Sequence, residues 1–163
     1  MELRRRLDPK VIFIGLYVVL FIVYIVVGLQ PAGAVNYQIS AQLSIPGVGI
    51  YSDVAKLELV DGKINTPDTI VGSYSQAPHK TLLVGHSVGV FQNVSQISLG
   101  DTIEYNDQKY HVSTIDMVRK GSVDMANILK SDDKDTIVLM TCAGTLLDGG
   151  DATHRLIVTA VAE

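Results

Sequence analysis

The run from Val11 to Leu29, VIFIGLYVVLFIVYIVVGL, holds 19 residues without one charge. As a helix it is long enough to cross a bilayer core, which needs about 20 apolar residues. Arg4, Arg5, Arg6 and Lys10 stand before it, against Glu2 and Asp8. Basic flanks stay in the cytoplasm, so the N-terminus is expected inside and the rest of the chain outside the cell membrane. Ala32-Gly33-Ala34 fits a small-x-small cleavage site. The apolar run nevertheless exceeds the roughly 7–15 residues of a signal-peptide core, so an uncleaved signal anchor is the expectation. A buried globular helix is the weaker alternative, because such a helix is seldom apolar on every face. The expected organisation is a cytoplasmic basic segment at 1–10, an anchor at 11–29, a tether at 30–40 and a folded extracytoplasmic domain at 41–163.

Composition narrows what that domain can be. The chain is 47% hydrophobic and 18% charged, which argues against disorder. Its single Cys cannot close an internal disulfide or fill a Cys-rich zinc site. Beyond residue 33 there are nine Lys/Arg and fifteen Asp/Glu, a balance that gives no reason to expect nucleic acid as a partner. A domain of this size buries about two-thirds of its unfolded surface and needs no covalent staple.

The domain reads mainly as short strands. Ala41 to Ile45 alternates apolar and polar and stops at Pro46-Gly47. Val54 to Val60 alternates again and stops at Asp61-Gly62, a hairpin signal. Thr81 to Val84, Asp101 to Tyr105, Lys109 to Val118, Thr136 to Thr141 and His154 to Ala162 follow, with a turn at Asn106-Asp107. The unbroken apolar run in Thr136 to Thr141 predicts a strand buried on both faces. Helical signals are short: a turn at Asn93 to Ile97, and one or two turns over Ser122 to Leu129 with Ser122 as N-cap and Val123, Ala126 and Leu129 or Ile128 facing inward. The pattern predicts an all-β fold with short helices, a closed or nearly closed barrel.

Few residues can carry chemistry. Cys142 is the one strong nucleophile, placed where the apolar run ends and the Gly-containing segment Ala143 to Asp151 begins. The bland alternative is a buried, inert thiol. His86 follows the apolar strand in Val84-Gly85-His86-Ser87, where the small Gly85 suggests room for a substrate. His79 lies in a polar loop, His111 inside a strand, and His154 on the opposite strand face from Arg155. Arg155 opens the last apolar strand and needs a partner there, either a substrate or a carboxylate such as Asp148 or Asp151. A Cys, a His and an Arg at three strand ends form a chemical set: a thiolate to attack a carbonyl, an imidazole to move protons, and a guanidinium to stabilise the oxyanion.

With those residues in order, the domain resembles the sortases, membrane-anchored cysteine transpeptidases of bacteria. The carriers are Ile45 to Ile50 (IPGVGI), Leu83-Val84-Gly85-His86-Ser87 with Phe91, Leu99 to Ile103 (LGDTI), Leu139-Met140-Thr141-Cys142, and His154 to Val158 (HRLIV). The resemblance spans about Leu43 to Val161. It implies an eight-stranded barrel, with Cys142 as nucleophile, His86 as general acid and base, and Arg155 on the substrate and its oxyanion. It also implies that Thr141 assists in substrate binding or at the oxyanion site. The implied reaction cleaves an LPxTG-like sorting signal of a secreted protein through a thioacyl enzyme and passes the acyl group to an amine. That amine belongs to a cell-wall precursor or a pilin lysine. The usual Thr-Leu-x-Thr-Cys strand reads Val138-Leu139-Met140-Thr141-Cys142 here, a departure expected to affect packing more than chemistry. No long C-terminal extension or second apolar span follows, which leans away from the pilin-building type.

No cofactor is expected. Asp132, Asp133 and Asp135 form the one acidic cluster that invites Ca²⁺, an ion that wants several oxygen ligands; the preferred reading is a solvated turn, and no metal site is assigned. Two other functions compete. A papain-like peptidase places its Cys before its His and at a helix start, the reverse of the order here. A non-enzymatic, membrane-tethered β-barrel that binds a partner or acts as a scaffold would keep Cys142 buried.

Overall fold

The computed structural model describes residues 37–147 and 151–163. The cytoplasmic segment, the anchor at 11–29, most of the tether, and Asp148 lie outside the described residues. Among the described residues no helix is long and apolar enough to cross a membrane.

Ten strands follow in chain order: β1 (Ile39–Ile45), β2 (Ile50–Lys56), β3 (Leu59–Val60), β4 (Lys63–Ile64), β5 (Val71–Tyr74), β6 (Lys80–Val84), β7 (Thr102–Tyr105), β8 (Gln108–Arg119), β9 (Thr136–Leu146) and β10 (Ala152–Ala162). Eight of them close into a barrel in the order β1-β2-β5-β6-β9-β10-β8-β7, and β3 and β4 form a separate two-stranded ribbon. One short helix, α1 (Met125–Ile128), lies between β8 and β9. The all-β barrel expected from the strand pattern is therefore the observed architecture.

Local chemistry explains the turns. Asp61 and Gly62 have φ of 51° and 72°, and Asn106 and Asp107 have φ of 52° and 63°. Two consecutive positive-φ residues make the tight hairpin turn whose twist matches its strands. The first closes the ribbon and the second joins β7 to β8. Period-two alternation then sorts the strands into two faces. The inner face of the barrel buries Leu43, Ile45, Val54, Leu83, Phe91, Leu139 and Val158 in one cluster. The outer face of β6, β9 and β10 buries Leu82, Val84, Val138 and Ile157 in a second. That second cluster is covered by Ile64 of the ribbon and by Val123, Met125, Ile128 and Leu129 around α1. This double cover is why Thr136 to Met140 reads as an unbroken apolar run.

Several expectations need correction. Cys142 does not end its strand: β9 continues to Leu146 because it pairs with β10 along a long hairpin, with Ala152 opposite Leu146. The hairpin absorbs one extra residue on β9 at Gly144, whose φ is +78°. A Cβ there would stand 2.7 Å from both His154 Nδ1 and Thr153 Oγ1, so the bulge requires glycine. Val54 to Val60 is not one strand; it divides into the end of β2 and the ribbon strand β3. Ser122 is not the helix cap. It ends a 3-10 turn at Lys120–Ser122, and Asp124 caps α1 by accepting the Asn127 N–H at 3.1 Å. Val123, Ile128 and Leu129 face inward as expected, but Ala126 is exposed and Met125 turns inward instead. The barrel begins at Ile39, two residues inside the expected tether. Strand β5 carries no sequence signal: Val71-Gly72-Ser73-Tyr74 has a Gly in the middle, which β-propensity disfavours. That Gly is required, because a Cβ would meet Leu57 Cδ1 at 2.2 Å.

Candidate active site

Sheet register sets Cys142 beside Arg155, and the turn after β6 adds His86 to the same cavity wall. Strands β6 and β9 pair in parallel with Val84 opposite Met140, and β9 and β10 pair antiparallel with Met140 opposite Ile157. Those three side chains belong to the outer cluster. One pleat repeat further along stand Cys142 and its direct partner Arg155, and His86 lies two residues past Val84, just beyond the end of β6. Side chains two residues apart on a strand share a face, so the polar row extends the apolar one on the outer face. All three line one cavity of about 380 Å³. Val84, Met140, Met125 and Leu129 form its apolar side, and Leu59, Gly62 and Ile64 of the ribbon form a wall.

Cys142 is half-buried and not disulfide-bonded. It also lines a second cavity of about 540 Å³ on the side of Gly144 and Leu146. That cavity is lined by Val88, Phe91, Ile115, Met117 and Leu156, and among the described residues no charged side chain contributes to its wall. Among the described residues, Thr141 and Cys142 alone belong to both cavities. The thiol thus stands at the junction of two grooves, and His86 and Arg155 line only the first of them.

The backbone after β6 is pinned around His86. Its carbonyl accepts the N–H groups of Gly89 at 3.0 Å and Phe91 at 3.1 Å. The side of Gly85 where a Cβ would stand is filled by Val90 and Phe91, while the residue itself lines the cavity. Thr141, on the inner face, donates its hydroxyl to the Gly85 carbonyl at 2.7 Å and so fixes the end of β6 against β9. The imidazole Nε2 of His86 lies 3.7 Å from Asp68 Oδ1, and that carboxylate is almost fully exposed.

Arg155 is held on one side. Its Nη2 donates to Asp151 Oδ1 at 2.8 Å, and its Nη1 donates to the carbonyls of Ala152 at 3.1 Å and His154 at 3.0 Å. Asp151 in turn forms an ion pair with Lys120 and accepts the Ala152 N–H at 2.8 Å. The Lys120 ammonium, then the Arg155 guanidinium and the Ala152 N–H, hold the Asp151 carboxyl well below the usual carboxylate range.

The other histidines stay apart from this row. His79 pairs with Asp135 at 2.5 Å and His111 with Glu163 at 2.5 Å, both exposed. His154 Nδ1 shares a hydrogen with Thr153 Oγ1 at 2.8 Å on the opposite strand face from Arg155. Asp132 is paired with Lys80, which lowers its carboxyl pKa, and Asp135 with His79, so two of the three clustered carboxylates already have side-chain partners. No group of three His, Cys, Asp or Glu with metal-binding geometry occurs among the described residues. Sequence reasoning named Asp151 as a possible partner of Arg155 but missed Lys120 and Asp68. Nothing in the local sequence signals either, since each reaches the site through a distant loop or strand end.

Comparison with known proteins places this geometry. A family model for the sortase domain matches residues 43–163. Among solved structures, a lid mutant of sortase A from Corynebacterium diphtheriae aligns with a TM-score of 0.61 at 23% identity, over 80% of this chain and 73% of that one. Sortase C-1 from Actinomyces oris aligns with a TM-score of 0.59 at 22% identity, over 77% of this chain and 72% of that one. A sortase D5 transpeptidase from Clostridium perfringens aligns with a TM-score of 0.58 at 20% identity, over 77% and 79%. These likenesses speak for the shared fold and single out no class. No curated protein sequence matches the chain. With the family model spanning the barrel from β1 to the C-terminus, the chain belongs to the sortase family.

Proposed function

We propose that the protein is a cysteine transpeptidase that cleaves an LPxTG-like sorting signal of secreted proteins and transfers the acyl group to an amine. The observation that carries this reading is that His86, Cys142 and Arg155 line one cavity wall, in a chain of the sortase family. The thiolate of Cys142 attacks the scissile carbonyl, and the Arg155 guanidinium receives the developing oxyanion. His86 gives a proton to the departing amine as the C–N bond breaks and leaves a thioester on Cys142. The acceptor amine then loses a proton to His86, attacks the thioester and releases the thiolate with a new amide bond. The thioester keeps most of the amide's bond energy, so no nucleotide is consumed.

The two cavities fit this two-step exchange. The one lined by His86, Arg155 and apolar side chains is assigned to the acyl donor, and Thr141 to substrate binding through the wall that it fixes. The second cavity, beyond Cys142, is assigned to the acceptor, a cell-wall precursor or a pilin lysine. The apolar span at 11–29 is assigned to a single-pass anchor with the N-terminus in the cytoplasm. Tethering concentrates the enzyme where secreted substrates emerge. No metal or other cofactor enters the scheme. A purely binding barrel is disfavoured by the half-buried thiol, which faces two cavities instead of the core.

The test uses the full-length chain in detergent micelles with a library of sorting-signal peptides and an amine acceptor. Mass spectrometry is expected to find an acyl adduct on Cys142 and an amine-dependent product, both lost in Cys142→Ala. A folded protein with an alkylatable thiol that acylates with no peptide in the library, in the presence or absence of Ca²⁺, would sink the reading.

A further inference from the structure

We propose that Asp151, braced by Lys120, is a positioning residue that aims Arg155 at the reacting carbonyl. The proposal rests on the transpeptidase reading of the site. Arg155 stands opposite Cys142 in the sheet and lines the same cavity, but a side chain with this many rotors does not hold one pose unaided. The structure supplies the constraint. Three bonds, to Asp151 Oδ1 and to the carbonyls of Ala152 and His154, engage one side of the guanidinium. A guanidinium has five N–H donors, so two remain uncommitted to any described residue. The Arg155 side chain is only 16% exposed, which keeps the clamped group against the cavity wall and out of bulk solvent.

Asp151 is itself fixed. One oxygen takes the Arg155 and Ala152 donors, and the other takes the Lys120 ammonium. Lys120 directly follows β8, whose last residue Arg119 pairs with His154 of β10. The same 3-10 turn leads into α1, where Met125 lines the cavity beside Cys142. The ion-pair chain Lys120–Asp151–Arg155 therefore ties the wall that faces the acyl donor to the group that receives its oxyanion. A carboxylate between two cations also keeps its charge deep into acid, so the clamp persists wherever the thiol chemistry operates. A merely structural ion pair would have no reason to share its arginine with the cavity.

The experiment has a spectroscopic arm and a kinetic arm, both on the full chain in micelles. In the first, ¹⁵N relaxation of the Arg155 Nε–H group reads side-chain order. Asp151→Asn keeps the shape and removes the charge. It should turn an ordered Arg155 Nε–H into a mobile one, while backbone order in β9 and β10 stays unchanged. In the second, Asp151→Asn should lower kcat/KM for transpeptidation about ten- to hundredfold, the loss expected when a catalytic group is displaced by about an ångström. Lys120→Met should move both readouts the same way and less far. The decisive comparison is the double variant Asp151→Asn/Arg155→Ala, which should be no slower than Arg155→Ala alone, because the aspartate acts only through the arginine. Multiplying effects, an Arg155 Nε–H that stays ordered without Asp151, or an unchanged kcat/KM would each overturn the proposal. Failure of the transpeptidase reading is separately recognised: the wild-type chain then forms no acyl adduct, and the clamp loses its catalytic meaning with it.

Discussion

Replacing Gly85 by Ala tests whether the site depends on the packing behind it. A Cβ on residue 85 would stand 2.7 Å from Val90 Cγ1, 2.8 Å from Phe91 Cδ2 and 3.0 Å from Phe91 Cγ. Carbon atoms pack best at about 3.5–4.0 Å, so the new methyl demands a retreat of roughly half an ångström or more. Phe91 is buried in the inner core and has no free direction to swing. Its N–H is also bonded to the His86 carbonyl, so a shift of Phe91 pulls on the turn that carries the imidazole. Overpacking of this kind costs about 1–3 kcal/mol. At about 4 °C per kcal/mol, the melting midpoint should fall by about 4–12 °C. Gly121→Ala is the control, because no atom lies within 4 Å of the added Cβ and its φ is not in the left-handed region; it should stay within about 0.5 kcal/mol of the parent. Urea unfolding followed by circular dichroism on the full chain measures both. If Gly85→Ala and Gly121→Ala share one midpoint, the packing argument fails. If Gly85→Ala is destabilised yet retains full kcat/KM at low temperature, the coupling to His86 fails while the packing stands.

Three further outcomes follow from the same geometry. Arg155→Ala should reduce kcat by about 10²–10³-fold, as for loss of an oxyanion donor, and Arg155→Lys should recover little of it, since an ammonium cannot reproduce the fork that bonds Asp151 and two carbonyls together; steady-state kinetics with one peptide and one amine decides this. Thr141→Val removes the 2.7 Å bond to the buried Gly85 carbonyl and should cost about 1–3 kcal/mol, with Thr141→Ser closer to the parent in urea unfolding. The lowered Asp151 carboxyl sets a pH dependence whose sign is fixed: its contribution to stability is complete above the ordinary carboxylate pKa of 3.8 and is lost as pH falls towards the lower folded value. The midpoint difference between parent and Asp151→Asn should therefore be constant above about pH 5 and shrink below it; a difference that does not change with pH refutes the ion-pair account.

What the sequence made legible was the part that period two and turn chemistry control. The alternation in Ala41 to Ile45, the Asp61-Gly62 and Asn106-Asp107 turns, and the apolar run of β9 are local signals, and each became the expected element. Strand β5 was invisible, because a Gly required by the close approach of Leu57 erased its β character. The end of β9 was misplaced for a related reason. Ala143-Gly144-Thr145 looks like loop in isolation, yet pairing with β10 and a bulge at Gly144 carry the strand on to Leu146. Tertiary pairing overrode propensity at both points.

The candidate site divides along the same line. His86, Cys142 and Arg155 each stood out as polar residues beside apolar strands, but nothing local said that they share a row. Register brings two of them together, since Arg155 is the direct partner of Cys142, and His86 joins them two residues past Val84, through the turn that follows β6. Cys142 and Arg155 continue a buried apolar face, so core packing sets their position, while His86 is held by the turn whose Gly89 and Phe91 N–H groups bond its carbonyl. The two sequence readings of Arg155, a substrate ligand or a partner for Asp151, looked like alternatives. A planar group with five donors can serve both at once, and the pairing with Asp151 on one side is what leaves the donors on the other side with a fixed aim.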